Sequence, residues 1–479
     1  MKVWYDKDKI NLTRFISENI LLLPLFNSDV VGKDNDFKNN LWGPGIEKII
    51  EYTDINSADY ILYHNKLDTD IFKFVQDNIK YAHKPILVFY NDDNPAPLSE
   101  DLPDNVFVFK TSIYKSQQRL NEIALPAWSS DFTLGNIITR KKDKKPVVSF
   151  CGAITHPDRK KVIKSITGCV GVNSSFVVRD SFWGGRPHDN ILRNEYKDNM
   201  LQSDMVLCVR GAGNFSYRLY ECLSMGRVPV IIDTDISLPC SDVIDWSRFI
   251  VTDVNNVCSD IINFWANMSN DDYINLQQYS RYVYDEYISP LGFVRYINNH
   301  QPIRTYVKSS GMGLYNLLKD KKFIKGVEIG CYDCVNATFL LETLPELHLT
   351  GIDPYIEFVD WDGTLQHTTE NALIKYARPL EERFSNRFKL HQSTSDMAVD
   401  AFTNESLDFV FVDGLHTYDQ TLKDCINYLP KIKKGGIICG HDYNVIPAVT
   451  RAVNEFSDMN KKTPKDLKST TRAWYWVKD

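Results

Sequence analysis

Apolar runs of about five residues recur along the whole chain, separated by longer stretches of mixed polarity. Short continuous apolar runs bounded by turn residues mark buried strands of parallel sheets, and the amphipathic stretches between them mark crossover helices. In residues 1–140 the runs Ala58–His64 (ADYILYH), Pro85–Tyr90 (PILVFY) and Val106–Lys110 read as three such strands. Pro146–Cys151 (PVVSFC), Met205–Val209, Val228–Ile232 and Ile250–Asp253 continue the series, and Ile261 to about Val294 is mostly helical and aromatic-rich. A stretch at 301–312, QPIRTYVKSSGM, breaks the pattern with Pro, Ser and Gly and reads as a linker. Strands then resume as Gly326–Gly330, His348–Ile352, Phe388–Gln392, Leu407–Val412 and Gly435–Cys439, closed by Ala473–Val477 (AWYWV). Such alternation predicts an α/β fold throughout.

At 479 residues the chain is too long for a single core. The breaks divide it into lobes at 1–140 and 145–300, the linker 301–312 and a last domain at 313–479. With 43% hydrophobic and 24% charged residues it has the composition of a folded soluble protein. A net charge of −7 argues against a nucleic-acid partner, and the one basic run, Arg140–Lys145, reads as a solvated interdomain linker. The ten cysteines form no even framework: Cys331 and Cys334 are two residues apart but have no second pair to complete a zinc site. Free thiols in a reducing compartment follow. MKVWYDKDKI offers no cleavable signal, and Ile20–Phe26 is too short to span a bilayer, so no transmembrane segment is expected. The expected location is the cytoplasm.

The densest chemistry lies between Met205 and Asp235. A short strand runs into Arg210-Gly211-Ala212-Gly213-Asn214, then a helix of about three turns ending at Gly226, then the strand Val228–Ile232. The two glycines let backbone amides approach a ligand, and the helix N-terminus behind them favours an anion. Arg210 and Arg218 add fixed positive charge suited to phosphate. Arg218 and Glu221 share one helix face and can both point toward the loop.

This stretch resembles the exostosin-like family of inverting glycosyltransferases, in which an Arg-Gly loop, a Ser-x-Arg-Leu-x-Glu helix and a Pro-Val-Ile strand form the sugar-nucleotide site. The likeness continues through Leu238-Pro239, Asp242 and Ile244-Asp245-Trp246-Ser247. It implies two Rossmann-like lobes of the GT-B type, an N-terminal acceptor-side lobe at 1–140 and a nucleotide-sugar-binding lobe at 145–300. Residues 205–235 then supply Arg210, Gly211, Gly213, Ser216, Arg218 and Glu221 to the nucleotide sugar, with Glu221 on the ribose. Arg159, downstream of the strand Pro146–Cys151, would face the diphosphate. Arg210 would stabilise the leaving diphosphate, and the acceptor's proton would pass to a base at the first lobe's strand ends. His64, Asp92 and Asp93 are the candidates. Animal exostosins are membrane-anchored, and this chain is expected to depart from them there.

The last domain opens on Glu328-Ile329-Gly330 and Cys331-Tyr332-Asp333-Cys334, and the next strand ends in Asp353, a carboxylate suited to ribose hydroxyls. The acidic-x-Gly start resembles motif I of class I S-adenosylmethionine-dependent methyltransferases, with Cys334 where that family often has glycine. The strand ends Asp413-Gly414-Leu415-His416 and Gly440-His441-Asp442-Tyr443 resemble small-molecule and sugar O-methyltransferases, some of them metal-dependent. The likeness implies a class I Rossmann-like domain that binds S-adenosyl-L-methionine through Glu328, Gly330, Cys331, Tyr332, Asp353, Ser393, Ser395, Asp396 and Asp413. Asp413, His441 and Asp442 can hold a divalent cation, Mg2+ or Mn2+, and His416 is the candidate base. The insertion between Asp353 and Phe388, with aromatics, carboxylates and His367, suits a sugar grip or a structural lid.

The leading expectation is a bifunctional glycan-modifying enzyme that joins inverting glycosyl transfer from a nucleotide-diphosphate sugar to S-adenosylmethionine-dependent O-methylation of a sugar hydroxyl. The alternative is a methyltransferase whose residues 1–300 are a silent glycan-binding module.

Overall fold

The computed structural model describes residues 1–5, 49–63, 70–77, 81, 84–90, 93–96, 102, 105–129, 131–186, 189–299, 311–319, 322, 325–367, 370–467 and 473–479. The chain divides into two compact units: Met1–Thr69, Ile86–Asp101 and Val106–His300 make the first, and Asp70–Pro85, Leu102–Asn105 and Gln301–Asp479 the second.

The first unit carries two sheets. β1 (Lys2–Trp4), β2 (Glu51–Tyr52), β3 (Tyr60–Leu62), β4 (Ile86–Tyr90), β5 (Val106–Lys110) and β6 (Glu122–Ala124) pair in the order β2-β1-β3-β4-β5-β6, all parallel. β7 (Val147–Ala153), β8 (Asn173–Arg179), β9 (Met205–Cys208), β10 (Val228–Ile232) and β11 (Ile250–Thr252) form the second sheet, β11-β10-β9-β7-β8, also parallel. The central strands β5, β9 and β10 are buried from end to end, which is why they read as unbroken apolar runs. β8 was not legible: at the sheet edge most of its residues are half or fully exposed, and NSSFVVR lacks the apolar continuity of the others.

The helical tail returns to the first sheet. In the helix Pro290–Asn299, Phe293 meets Phe109 and Trp128 edge-on, at 5.8 and 5.7 Å between ring centres. Trp128 Nε1 donates to the Ile288 carbonyl at 2.9 Å. In the run Arg140–Lys145, Lys141 and residues 143–145 are exposed, while Arg140 is anchored. Arg140 Nε donates to Asp204, whose side chain is 1% exposed, at 2.8 Å, and its backbone N–H donates to Gln277.

The second unit holds β12 (Lys325–Ile329), β13 (His348–Ile352), β16 (Phe388–His391), β17 (Leu407–Val412), β18 (Ile432–Gly440), β19 (Lys465–Asp466) and β20 (Trp474–Val477), in the order β16-β13-β12-β17-β18-β20-β19. Its pairings are parallel except β18–β20 and β20–β19, so AWYWV does supply an antiparallel strand. Its core packs Val327, Val410, Ile438 and Tyr428 against Trp474 and Trp476. The insertion folds as a hairpin, β14 (Glu357–Val359) and β15 (Leu365–His367), followed by helical turns to Arg383. Of the expected linker, 301–310 lies outside the described residues, while 311 and 312 begin the helix Gly311–Leu318. No helix among the described residues is long and apolar enough to cross a membrane, and all ten cysteines are free.

Candidate functional site

In the first unit the site is built where β7 and β9 end. The helix after β9, Tyr217–Ser224, is shorter than the three turns expected, because Asn214 and Phe215 are held in the loop before it. The Asn214 N–H donates to Ser112 Oγ at 2.8 Å, and Asn214 Nδ2 donates to the carbonyls of Ile113 and Asp235. The helix ends on Gly226, whose φ of 62° suits glycine, while the Arg227 N–H reaches back to the Cys222 carbonyl at 3.0 Å.

Ser216 caps this helix in position only, since its side chain makes no capping hydrogen bond. Its Oγ is buried and has no partner among the described residues, and the same holds for Arg218 Nε and Arg210 Nε. Arg218 is 6% exposed and held from the sides: its guanidinium lies 4.3 Å from the centre of the Phe150 ring, and Nη2 donates to the Cys151 carbonyl at 2.8 Å. A Cβ on Gly152 would come within 2.8 Å of that nitrogen, so the close approach at the end of β7 requires glycine. Arg210 donates to Tyr114 Oη at 3.0 Å and to the Ala212 carbonyl at 3.1 Å.

Two residues expected to meet the ligand make hydrogen bonds inside the protein. Arg159 donates to the carbonyls of Arg210, Ala153 and Val209 at 2.8, 2.9 and 3.2 Å, and so props the loop. Burial and the nearby Arg218 bring it down to about 10. A Cβ at Gly211 would sit 3.2 Å from its Nη2, so this glycine admits the guanidinium. Glu221 accepts from Ser129 Oγ at 2.5 Å on one oxygen and from the Tyr196 hydroxyl on the other. His64 and Asp92 lie outside the described residues. Asp93 is exposed and packs against the loop, where a Cβ on Gly213 would meet its Oδ1 at 2.8 Å.

In the second unit a cavity of about 590 Å³ opens at the ends of β12, β13, β17 and β18. Glu328, 2% exposed, takes Asn336 Nδ2 on Oε1 at 2.9 Å, while Oε2 has no partner among the described residues. Burial raises its carboxyl to about 8. Asp353 accepts from the N–H groups of Cys331, Tyr332 and Tyr355 at 3.0, 2.9 and 2.8 Å, so its carboxylate shapes the glycine-motif loop from beneath. Cys334 takes the left-handed conformation, with φ of 55°, and its Sγ lies 3.5 Å from the Tyr355 hydroxyl. The backbone therefore keeps a glycine's conformation although the residue is cysteine. Gly330 is not replaceable: a Cβ there would lie 2.0 Å from the Asp413 carbonyl.

On the adenine side expected from the sequence, Thr394, Ser395 and Asp396 line the cavity, whereas Ser393 does not. Asp396 pairs with Lys423 through Oδ2 at 2.7 Å, and its buried Oδ1 has no partner among the described residues. Ser395 Oγ and Gln420 Nε2 donate to Asp424 at 2.6 and 2.9 Å, and burial raises that carboxyl to about 6. Asn336, Asp360, Gln420 and Asp424 were missed as lining residues, although the four-residue spacing of Gln420 and Asp424 puts both on one helix face.

Asp413, His416 and Asp442 each offer a ligand atom, all within 4.8 Å of one another. His416 Nε2 lies 3.1 Å from Asp442 and 3.8 Å from Asp413, and Nδ1 lies 2.9 Å from Asp360 Oδ2. His441 Nδ1 faces the same two acids at 3.1 and 3.5 Å. Burial works against a charged ring, but the hydrogen bonds to Asp413, Asp442 and Asp360 outweigh it and raise His416 to about 11. Burial likewise opposes charge on His441, which the same two acids nevertheless raise to about 9. His416, the expected base, is thus held between Asp360 and Asp442.

Residues 82–263 match the family described as Exostosin GT47 domain, and residues 327–443 match a family described as Methyltransferase domain. Human ribitol-5-phosphate xylosyltransferase 1 is 29% identical over 102 residues, 21% of this chain and 23% of that one. The exostosin-1 homolog of Caenorhabditis elegans is 30% identical over 103 residues, 22% of this chain and 27% of its own. The chain thus spans about a quarter of the length of these curated relatives. Among solved structures, the O-methyltransferase NovP is 16% identical with a TM-score of 0.29, covering 41% of this chain and 87% of its own. The Podospora anserina methyltransferase PaMTH1 is 15% identical with a TM-score of 0.28, covering 39% and 86%. The chain carries an exostosin GT47 glycosyltransferase domain at 82–263 and a methyltransferase domain at 327–443 in one polypeptide.

Proposed function

We propose that the chain is a bifunctional glycan-modifying enzyme: it transfers a sugar with inversion from a nucleotide sugar to a glycan acceptor, and it O-methylates a sugar hydroxyl with S-adenosylmethionine. The observation that carries this reading is the sign of the buried groups left without partners, donors in the first site and acceptors in the second.

In glycosyl transfer the acceptor oxygen attacks the anomeric carbon as the bond to the nucleoside diphosphate breaks, and negative charge gathers on the leaving group. Ser216 Oγ, Arg218 Nε and Arg210 Nε are unused donors around one helix N-terminus, where such charge is best held. Each is already fixed by its surroundings, so little reorganisation accompanies the reaction, and one such donor is worth ~10²–10³ in rate. Asp93, exposed beside Gly213, is the carboxylate this reading assigns to the acceptor's proton.

S-Adenosylmethionine, when bound, supplies an electrophilic methyl group on a sulfonium centre. Glu328 Oε2 and Asp396 Oδ1 are buried acceptors suited to its ammonium and adenine amino groups. Gly330 keeps the loop backbone low. The proton of the attacking hydroxyl leaves toward the cluster of Asp413, His416 and Asp442. The ten free thiols support a reducing compartment such as the cytoplasm.

The internal engagement of Arg159 and Glu221 favours a second reading, in which the first unit binds glycans without turning over a donor. A thermal-shift panel of nucleotide sugars, with and without S-adenosylmethionine, separates the two. A donor near 100 times its Kd stabilises its unit by ~2.7 kcal/mol. No response to any nucleotide sugar, beside a clear response to S-adenosylmethionine, sinks the bifunctional reading.

A further inference from the structure

The loop Arg210-Gly211-Ala212-Gly213-Asn214 follows β9 of the second sheet, yet it is held by the segment that follows β5 of the first. Tyr114 and Ile236 form an antiparallel bridge. Beside it the Lys115 N–H donates to the Asp235 carbonyl at 2.8 Å, and the Ser116 N–H to Asp235 Oδ1 at 3.0 Å. At the far end of the loop Asn214 is wholly buried. Its N–H meets Ser112 Oγ at 2.8 Å, Nδ2 donates to the Ile113 and Asp235 carbonyls, and Oδ1 accepts from Thr234 at 2.7 Å. At the near end Arg210 meets Tyr114: Nη1 donates to the phenol oxygen at 3.0 Å, and the guanidinium carbon lies 5.6 Å from the ring centre.

Two glycines give this loop a wide choice of backbone conformations, and an arginine side chain carries large rotamer entropy. A guanidinium on such a loop is poorly placed unless a group outside the loop fixes it. Nη2 donates to the Ala212 carbonyl at 3.1 Å, a contact inside the loop that moves with it. Tyr114 supplies the outside point, because its backbone is bridged to the chain beyond β10 while its hydroxyl takes Nη1. With both terminal nitrogens tied, the planar fork has one orientation, and the buried Nε is left without a partner among the described residues. A donor fixed before the ligand arrives costs less ordering when it binds.

We propose that Tyr114, carried by the first sheet, is the positioning residue that presents Arg210 to the diphosphate of the nucleotide sugar. The first sheet thereby takes part in donor binding through Arg210. The inference rests on the reading of Arg210, Ser216 and Arg218 as the diphosphate site.

The test is calorimetry of the full chain with uridine, guanosine, cytidine, adenosine and thymidine diphosphates, the variants being titrated with whichever binds wild type most tightly. Tyr114→Phe keeps the ring beside the guanidinium and removes the acceptor oxygen. Affinity falls ~10-fold or more, the loss of one hydrogen bond to a charged group, while the thermal midpoint stays at the wild-type value. Tyr114→Leu, which also removes the ring, loses at least as much and carries the test if Tyr114→Phe does not fold. Ser116→Ala removes a side-chain contact to Asp235 between the same two segments but none to Arg210, and binds as wild type does. A double-mutant cycle supplies the readout that a merely structural role would not move. In an Arg210→Ala background, where Ser216 and Arg218 still meet the diphosphate, adding Tyr114→Phe costs less than ~2-fold.

Wild-type affinity in Tyr114→Phe, an equal loss in Ser116→Ala, or the same loss from Tyr114→Phe with and without Arg210 overturns the inference and leaves the diphosphate site standing. Failure of wild type to bind any of the five nucleotides removes the site, and the inference with it.

Discussion

At the ends of β7 and β9 the buried atoms without partners among the described residues include Arg210 Nε, Ser216 Oγ and Arg218 Nε, and in the methyltransferase cavity they include Glu328 Oε2, Asn336 Oδ1 and Asp396 Oδ1. Both sites occupy the same place in a parallel sheet, the carboxyl ends of the strands, where crossover loops diverge and leave room for a ligand. Their chemistry is opposite. The first set offers two guanidinium N–H donors and a hydroxyl, which suit negative charge; the second offers acceptors, which suit amino groups. Topology gives the location of a site, and the few side chains that the fold buries without satisfying give the charge of its ligand.

The sharpest way to break the comparison is to remove one orphaned donor. Arg218→Ala should lower nucleotide-sugar turnover by ~10²–10³, and Arg218→Lys should not restore it, because an ammonium cannot present the planar fork held over Phe150. Arg159→Ala is the matched control: it removes hydrogen bonds to three carbonyls, so the thermal midpoint should fall while nucleotide affinity measured on the folded fraction changes little. Equal losses of nucleotide affinity in the two variants would erase the distinction drawn between them.

On the opposite side, Glu328→Ala should weaken S-adenosylhomocysteine by ~1.5–3 kcal/mol, the range for hydrogen bonds to charged groups, as read by calorimetry. The loop below it supplies a smaller effect. Cys334→Val places a β-branched side chain at a left-handed position and should destabilise the second unit by ~1–2 kcal/mol, whereas Cys334→Gly should not. Denaturant titration distinguishes them.

The last effect is a slope. Burial raises the Glu328 carboxyl from 4.5 to about 8, so the folded state holds a proton that the unfolded chain releases. The stabilising contribution is whole below pH 4.5 and is lost as pH climbs through about 8. Glu328→Gln, which mimics the neutral carboxyl, should therefore raise the thermal midpoint at pH 9 and leave it unchanged at pH 4. A parallel pair of pH profiles would show that the carboxyl is not buried as described.

Most of the sheet strands were readable because parallel sheets are covered on both faces, which leaves continuous apolar runs such as LDFVFV in β17. The edge strand β8 and the hairpin β14–β15 were not, since an exposed face dilutes the signal. The motif residues of both sites were equally readable, because their chemistry is local: two glycines before a helix, or an acid two residues ahead of a glycine.

What the sequence alone determined is the order of the strands along the chain, the loops at their ends and the types of residue those loops carry. Only the tertiary structure decided which of those residues are free to meet a ligand. Arg159 and Arg218 look alike in sequence, yet one faces carbonyls 6, 50 and 51 residues away and the other keeps an unused donor. Asp360 and His416 stand 56 residues apart and become partners only because a hairpin folds over the cavity. Hydrogen bonds and ion pairs act over a few ångströms, and the burial that strengthens them is a property of the packed chain. A linear sequence records which groups are present; their distances exist only after folding.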